Sequence, residues 1–330
     1  MRLITLDDLL DLYLKGVQRG GTFLLSKLTF NKKARTLSAF NQESIQTSNW
    51  WMVPAVRRRW NALITGNPDL PYETYVVQRY FQERTGLRLL SLGSGNCSRE
   101  LKIAQYDQFA EVLCVDIAGN RLQEAETAAR AANLHNMRFL CANVEEYDFP
   151  QEYFDVVLFN FSLHHFYNID ELLQKKVKKG LKNDGFVIIN EYVGPNRLQF
   201  SQAQIKAINE ALQLIDKQWR RRWKTRLTKN RYYGSGILRM IIADPSECVD
   251  SASILPALHR NFKVVEERPY GGNILMLTLK DIAHHFVHPD ARQQIILEAL
   301  FQYEDEYLLG QASDLVFGIY QKSSGSYTTF

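Results

Sequence analysis

Five short apolar runs between residues 87 and 191 constrain the fold more than any other feature of this chain. The runs are LRLLSL (87–92), AEVLCVD (110–116), MRFLCA (137–142), FDVVLFN (154–160) and GFVIINE (185–191). Helical patterns lie between them, such as NRLQEAETAARAAN (120–133) and IDELLQKKVKKGLK (169–182). Nearly continuous apolar strands that alternate with helices predict an α/β fold with a doubly wound, mostly parallel sheet buried on both faces.

Two later runs, NFKVVEERPY (261–270) and GGNILMLTL (271–279), predict the end of this sheet. Little more than Gly271 and Gly272 separates them, and so short a connection permits only a hairpin. We therefore predict seven strands, the last of which runs antiparallel to its neighbours.

Two regions outside the alternation predict additions to the sheet. Residues 1–86 are helix-like and rich in aromatic residues, and residues 196–240 contain, near their start, the helical FSQAQIKAINEALQLIDKQWRRRW. Such additions beside an α/β core usually cover a substrate. We predict a helical N-terminal extension (1–86), a core (87–280) with a helical lid insertion (196–240), and a C-terminal helix and tail (281–330).

The composition disfavours several classes of protein. A net charge of +4 over 330 residues is too mild to indicate nucleic-acid binding by itself. The four cysteines show no CxxC spacing, which argues against a disulfide framework or a structural zinc site. Acidic residues interrupt the N-terminal MRLITLDDLLDLYLKG, and nothing approaches the roughly 20 apolar residues of a membrane span. We expect a reduced, cytoplasmic protein without a membrane span, either a monomer or a homodimer.

The segment RLLSLGSGNCSREL (88–101) places Gly93 and Gly95 directly after the first strand. Without a Cβ, these residues let the backbone come close to a ligand. Ser98 stands where a dinucleotide-binding motif has a third glycine or alanine, so that match is partial. Asp116 ends the second strand about 20 residues later, where an acid accepts hydrogen bonds from ribose hydroxyls. The combination predicts a nucleoside ligand; the alternative is a tight turn followed by a solvated strand end.

Five segments in order resemble the motifs of the class I S-adenosylmethionine-dependent methyltransferases, in a bacterial, small-molecule branch of the family. They are LLSLGSGNC, CVDIAGN, CANVEEYDFPQEYFDVV, FDVVLFNFSLHHF and LKNDGFVIINEYVGP. Ser91 replaces the acid that many members carry, and Cys97 stands where a third glycine often lies. The resemblance implies a Rossmann-like fold that binds S-adenosylmethionine and releases S-adenosylhomocysteine. That cofactor has a cationic sulfonium and no phosphate, so a lysine beside the glycines would not help, and a helix N-terminus can face its carboxylate.

The resemblance also implies which residues hold the cofactor. Asp116 would bind the ribose, Ile117 would flank the adenine, and the side-chain oxygen of Asn143 would accept from the adenine amino group. Asn160 would bond the substrate or the methionine ammonium. The predicted cofactor residues are Gly93, Ser94, Gly95, Asp116, Ile117, Asn143, Val144 and Asn160.

Two histidines after the fourth strand are the predicted catalytic bases. His165 is preferred to His164, because a histidine titrates close to working pH and both follow the carboxyl end of a strand. Glu191 and Tyr192, past the fifth strand, would act as an alternative base and as a substrate contact. Each histidine also fits a structural role, and Glu191 fits a buried partner of an arginine such as Arg197.

Two charged segments remain. DIAHHFVHPD (281–290) would put His284 and His288 at the i, i+4 spacing of a helix, but it lacks the glutamate of an HExxH zinc motif, so no metal is predicted. KQWRRRWKTRLTKNRYY (217–233) fits a solvated helix face, a nucleic-acid surface or a lid over an anionic or sugar-like substrate. The predicted substrate contacts are Tyr192, Trp51, Tyr233 and Arg231.

The sequence therefore predicts transfer of a methyl group from S-adenosylmethionine to a small-molecule partner. The expected acceptor is a hydroxyl of a sugar, lipid or secondary metabolite, as in natural-product biosynthesis. One alternative is an RNA or protein methyltransferase that docks through residues 217–233, although NFSL stands where amino-directed nucleic-acid enzymes carry an NPPY-like motif. The other alternative is a non-catalytic relative of the fold.

Overall fold

A computed structural model describes residues 1–19 and 48–323 of the chain. Its helices are α1 (Leu6–Arg19), α2 (Pro54–Thr65), α3 (Tyr72–Val76), α4 (Glu100–Ile103), α5 (Gly119–Ala131), α6 (Ile169–Leu172), α7 (Lys178–Gly180), α8 (Gln202–Gln213), α9 (Ile237–Ala243), α10 (Ile254–Asn261), α11 (Leu275–Leu279) and α12 (Ala291–Leu308). Its strands are β1 (Leu87–Leu92), β2 (Phe109–Asp116), β3 (Met137–Cys141), β4 (Phe154–Asn160), β5 (Leu181–Tyr192), β6 (Lys263–Pro269) and β7 (Leu315–Gln321). The parts of the predicted extension and tail at residues 20–47 and 324–330 lie outside the described residues.

The strands form one seven-stranded sheet in the order β3-β2-β1-β4-β5-β7-β6. The first five strands pair in parallel, β1 with both β2 and β4. The last strand runs antiparallel, and the predicted Rossmann-like, doubly wound fold class is confirmed. The strand order reverses between β1 and β4, and in such sheets ligands bind outside the carboxyl ends of the strands at this point.

The seventh strand does not lie where the sequence predicted it. Residues 275–279, predicted as a strand in a hairpin, form α11, and the strand is Leu315–Gln321 within the predicted C-terminal tail. The carboxylate of Glu304 accepts the backbone N–H groups of Gly272, Ile274 and Leu275, which starts a helix there. β7 supplies the missing apolar run, because all its residues except the last are buried.

Both faces of the parallel strands are buried, as the continuous apolar runs predicted. On one face, Leu90, Val157 and Val187 belong to the main core cluster, together with side chains of α6 and α10. On the other, Phe186 contacts Phe81 from the π-helical turn after α3, with ring centroids 5.7 Å apart. Since both faces of the sheet are covered, a ligand can reach these strands only at their ends.

The chain divides into two compact units, each built from three segments. The sheet unit comprises Leu70–Val193, Val249–Arg268 and Val316–Phe330, and the helical unit comprises Met1–Asp69, Gly194–Cys248 and Pro269–Leu315. The predicted domain boundaries remain predictions. In the described part of the chain, none of the helices has the length and apolar character needed to cross a membrane.

Asp314 of the helical unit gives stability a predictable pH dependence. Burial raises its pKa to about 7, although Gln204 donates to its Oδ2 at 2.7 Å. Between about pH 4 and pH 7 the folded chain therefore holds a proton that the unfolded chain has lost, so the free energy of unfolding falls as pH rises. We expect Asp314→Asn to raise that free energy at pH 8 by about 2 kcal/mol or more and to match wild type near pH 4. Chemical denaturation at several pH values measures this, with the exposed Glu298→Gln as a control that shows no such change.

Candidate functional site

The glycine turn after β1 is tied to the end of β2. The N–H groups of Gly93 and Ser94 both donate to the carbonyl of Val115, at 2.8 and 3.1 Å. Gly93 has φ +69° and Gly95 has φ +55°, a region that side chains with a Cβ rarely adopt. A Cβ on Gly93 would lie 2.8 Å from the Cβ of Ser162. The turn thus needs glycine both for its dihedral angles and for its close contact with the segment after β4.

Two alanine substitutions separate these two requirements. Gly86 has the same φ of +69° as Gly93, but a Cβ there would meet nothing within 4 Å. We expect Gly86→Ala to cost about 1 kcal/mol of stability from backbone strain alone. Gly93→Ala should cost about 2 kcal/mol more, because Ser162 must also move. Urea unfolding of both variants tests this, and equal losses would show that the contact with Ser162 does not matter.

Asp116 at the end of β2 has a fixed carboxylate. Its Oδ2 accepts the N–H of Gly95 at 2.8 Å, and its Oδ1 accepts the N–H of Ala118 at 2.7 Å. Each carboxylate oxygen has two lone pairs, so each retains one acceptor position. Two oxygens held in this way fit the two adjacent hydroxyls of a ribose.

Position 91 holds a serine where many family members have an acid, and the carboxylate of Glu100 lies next to it. The Ser91 hydroxyl donates to Glu100 Oε1 at 2.6 Å, and burial raises the pKa of this carboxyl group. Glu100 begins α4, which is only four residues long. The helix dipole expected to face the cofactor's carboxylate is therefore small, because the aligned peptide dipoles are few.

Two buried polar atoms beside the turn have no hydrogen-bond partner within the described ranges. They are Ser94 Oγ and Glu73 Oε2. The other oxygen of Glu73 accepts from Arg99 at 2.7 Å and from Lys102 at 3.3 Å. A ligand with a donor and polar groups, such as the methionine end of S-adenosylmethionine, would satisfy these atoms, so the residues present fit this group.

The predicted asparagines are partly committed to the protein itself. Asn160 Oδ1 accepts from the Tyr72 hydroxyl and from Asn190 Nδ2, both at 2.9 Å. Both lone pairs are then used, which leaves the side chain of Asn160 as a donor and makes it a poor partner for an ammonium. Asn143 Oδ1 accepts the N–H of Glu145 at 3.2 Å and retains one lone pair. Asn143 can still accept from an adenine amino group.

The remaining predicted cofactor residues flank these groups. Ile117 is half-buried directly after Asp116, and Val144 is buried in the core of the sheet unit. Glu73 and Glu100 were not predicted. The only sequence signal for Glu100 was the absence of an acid at position 91, and Glu73 gave none, since it lies well before the motif.

Glu191 organises the turn after β4, and His164 depends on it. Glu191 is fully buried, its Oε1 accepts the N–H groups of Ser162 and Leu163, and its Oε2 lies 2.7 Å from His164 Nδ1. The His165 ring is half-buried, with its centroid 4.3 Å from that of His164. The structure thus brings the three predicted catalytic residues together, with His165 the most exposed of them.

The predicted substrate contacts are divided between the two units. Tyr192 is buried in the sheet unit, and its N–H donates to Glu191 Oε2 at 3.2 Å. Trp51 and Tyr233 are exposed residues of the helical unit, where the Arg231 guanidinium lies 5.6 Å from the Tyr233 ring centroid. Their contact with an acceptor remains a prediction.

The histidines at 284 and 288 are not spaced along a helix. His284 lies in the 3₁₀ turn Ala283–Phe286, and His288 lies beyond it. His284 Nδ1 is 2.9 Å from Ser48 Oγ, and burial lowers the pKa of His284 to about 4. The zinc-like spacing considered from the sequence is therefore not formed.

Part of the chain matches a known protein family. Residues 90–189 match a family model described as a methyltransferase domain, and this range includes the glycine turn, Asp116 and the two histidines. Over these residues the predicted resemblance to S-adenosylmethionine-dependent methyltransferases is confirmed. The predicted cofactor, S-adenosylmethionine, and the predicted enzyme class both agree with this match.

Two curated relatives match about a third of the chain, and a solved structure matches most of it. The uncharacterized methyltransferase YcgJ of Bacillus subtilis is 28% identical over 106 residues, 32% of this chain and 41% of the relative. The ubiquinone/menaquinone biosynthesis C-methyltransferase UbiE of Coxiella burnetii is 29% identical over 131 residues, 39% of this chain and 50% of the relative. The chain thus spans half or less of the length of these relatives. A solved structure is also similar, that of phosphoethanolamine N-methyltransferase 2 of Haemonchus contortus in complex with S-adenosyl-L-methionine. It is 16% identical to this chain, and the match covers 91% of this chain and 59% of that protein with a TM-score of 0.47.

Proposed function

We propose that the chain transfers a methyl group from S-adenosylmethionine to a small-molecule acceptor that must lose a proton, with a hydroxyl as the expected acceptor. The observation that carries this proposal is the cluster at the strand ends: a glycine turn, a fixed carboxylate at Asp116 and a coupled Glu191–His164 pair beside His165. No other cluster described above combines groups that can bind a nucleoside with groups that can accept a proton. We place this reaction in the cytoplasm, because the four cysteines are free and thiols stay reduced in that compartment.

The residues at the ends of β1 and β2 would bind the cofactor. Asp116 would accept from the two ribose hydroxyls, and Glu73 would offer its second oxygen to the methionine ammonium. The donors of Asn160 would face the methionine carboxylate or the acceptor. When bound, the cofactor supplies a methyl group on a cationic sulfur, which leaves as a neutral thioether. The protein's part is to align the acceptor in line with that bond and to take its proton.

His165 is the proposed base because of what surrounds it. Glu191 fixes the ring of His164, and His164 stacks beside His165, so the base sits against a rigid neighbour. A positioned base contributes typically 10²–10⁴-fold to a proton transfer. In this proposal Glu191 holds His164 in place and does not itself take the proton, because its acceptor positions are occupied by backbone N–H groups.

Methylation at carbon is a second candidate, because the UbiE relative from Coxiella burnetii is named as a C-methyltransferase. A ring carbon beside a hydroxyl would need the same base, since the proton of that hydroxyl must leave as the carbon attacks. The geometry of the described residues fits both acceptors. The product distinguishes them.

The test is a transfer assay with methyl-labelled S-adenosylmethionine and a panel of phenols, sugars and lipid-like alcohols. We expect saturable binding of the cofactor and labelled product with at least one class of acceptor, an ether for O-methylation and a new C–CH₃ bond for C-methylation. Binding without turnover on any acceptor or cell extract would favour the non-catalytic alternative. Labelled RNA or protein in the same extract would favour a docking role of residues 217–233.

A further inference from the structure

Helix α1 of the helical unit buries two acids and exposes several apolar side chains, although Leu14 of the same helix is buried. Asp8 and Asp11 are buried, whereas Leu9, Leu12 and Tyr13 are exposed by 59%, 53% and 54%. A surface helix of a globular protein normally turns its apolar stripe toward the core. In α1, by contrast, Leu6, Leu9, Leu12 and Tyr13 form an apolar stripe that faces outward, and we call it the α1 apolar face.

Ion pairs on the inner side hold α1 in this orientation. Asp8 Oδ1 accepts from the N–H of Gly236 at 2.9 Å and from Arg239 Nε at 2.7 Å. Asp11 pairs with Arg239 at 3.0 Å and with Lys280 at 3.1 Å. Turning the leucines inward would break these pairs and leave buried charges unpaired, which is strongly unfavourable. The outward apolar face is therefore a built feature of the fold.

A second exposed apolar face lies on α9 in the same unit. Leu238, Ile241 and Ile242 are exposed at the i, i+3, i+4 spacing of one helix face. The N–H of Leu238 donates to the carbonyl of Leu3, itself exposed, at 3.2 Å. Backbone hydrogen bonds thus attach α9 to the segment that leads into α1, and apolar side chains are exposed on both elements.

Cations without acid partners adjoin the α1 apolar face. Tyr13 lines a cavity of about 590 Å³ together with Arg221, Lys224 and Arg226 of the basic loop, residues 221–227. No carboxylate among the described residues forms an ion pair with any of these three cations. The basic loop is closed by its own backbone, since the N–H of residue 222 donates to the carbonyl of residue 227 at 2.8 Å. Its positive charge is therefore presented beside Tyr13 of the α1 apolar face.

We propose that the α1 apolar face and the basic loop dock the protein on the surface of an anionic lipid bilayer. An outward apolar stripe inserts into the boundary between headgroups and acyl chains, and adjacent cations gain about 1 kcal/mol each from an anionic surface. A second copy fits less well, because a two-fold interface would bring the same unpaired cations together. RNA would pair with the cations but would leave the leucines in water. The proposal is independent of the methyl-transfer activity.

The test is flotation of the full-length protein with two kinds of vesicle, phosphatidylcholine alone and an equal mixture of phosphatidylcholine and phosphatidylglycerol. We expect wild type to float with the anionic vesicles at low salt and to be released as salt rises. The double variants L9D/L12D and K224E/R226E should each lower the partition coefficient at least about tenfold. The matched controls are Leu309→Asp, an apolar residue 89% exposed at the end of α12, and Lys206→Glu on α8.

Four results would overturn the proposal. The first is wild type that binds neither vesicle, as expected if another part of this chain covers the face. The second is equal binding by L9D/L12D and wild type, which would leave only a charge effect. The third is a dimer in light scattering that L9D/L12D abolishes, without vesicle binding. The fourth is RNA binding that K224E/R226E alone removes, again without vesicle binding. Unchanged far-ultraviolet circular dichroism of the variants confirms that they are folded.

Discussion

Asp116→Ala is expected to weaken the binding of S-adenosylmethionine by at least about 100-fold, because a hydrogen bond to a charged group contributes about 1.5–3 kcal/mol and the carboxylate offers two. Two backbone N–H groups donate to the Asp116 carboxylate and keep its oxygens in place. Binding of a ribose therefore costs no further conformational entropy for this side chain. Removing the carboxylate also releases the N–H of Gly95, which loosens the glycine turn. Both effects act in the same direction. Isothermal titration calorimetry with S-adenosylmethionine and S-adenosylhomocysteine measures the loss.

The control for this prediction lies just before the same strand, away from its carboxyl end. Asp107 is exposed and precedes β2, whereas Asp116 ends it. Asp107→Ala has the same change of charge and should bind the cofactor as wild type does. If Asp116→Ala bound S-adenosylmethionine within about threefold of wild type, the ribose would have to lie elsewhere, and the proposed orientation of the cofactor would be lost.

The parallel half of the sheet was predictable because its strands are buried on both faces. β1 and β4 have the predicted bounds, and β2 begins one residue earlier than predicted. Continuous apolar runs between helical segments leave little choice of structure, and the glycines and Asp116 follow from where those strands end. The order of the motifs along the chain then predicted which cofactor binds there.

The last strand was not predictable in the same way, because a distant side chain decides it. Residues 275–279 have the apolar character of a strand, yet Glu304, about 30 residues away, accepts the N–H groups that begin a helix there. β7 was missed because the run LVFGIYQ follows a long helix and is bounded by polar residues that suggest a tail. Local pattern cannot reveal such a contact.

Site residues outside the motifs escaped prediction for a related reason. Glu100 and Glu73 act through contacts that no spacing rule describes, a hydrogen bond to Ser91 and a pairing with Arg99. The sequence did predict that the two histidines and Glu191 follow neighbouring strands. It did not show that the Glu191 carboxylate would accept the backbone N–H groups of the turn after β4, because those hydrogen bonds depend on the conformation of the turn.

Glu304→Ala is expected to lower the free energy of unfolding by about 4 kcal/mol, since a buried donor left without its acceptor costs about 1–3 kcal/mol. Glu304 is fully buried, and its Oε1 accepts three N–H groups at 3.0–3.1 Å, those of Gly272, Ile274 and Leu275. Alanine removes that acceptor and leaves a cavity as well. Because the chain has two units, the loss is to be read by hydrogen exchange at 274 and 275 as well as by urea unfolding.

Glu304→Gln separates the acceptor from the charge. Glutamine keeps a carbonyl oxygen for the three N–H groups but has no charge to bury, and burial already raises the pKa of Glu304. This variant should therefore lose less than half of what alanine loses. The exposed Glu298 on the same helix supplies the control, since Glu298→Ala should stay within about 0.5 kcal/mol of wild type. Equal stability of Glu304→Ala and Glu298→Ala would mean that α11 begins without this carboxylate, and the explanation given for the displaced seventh strand would be wrong.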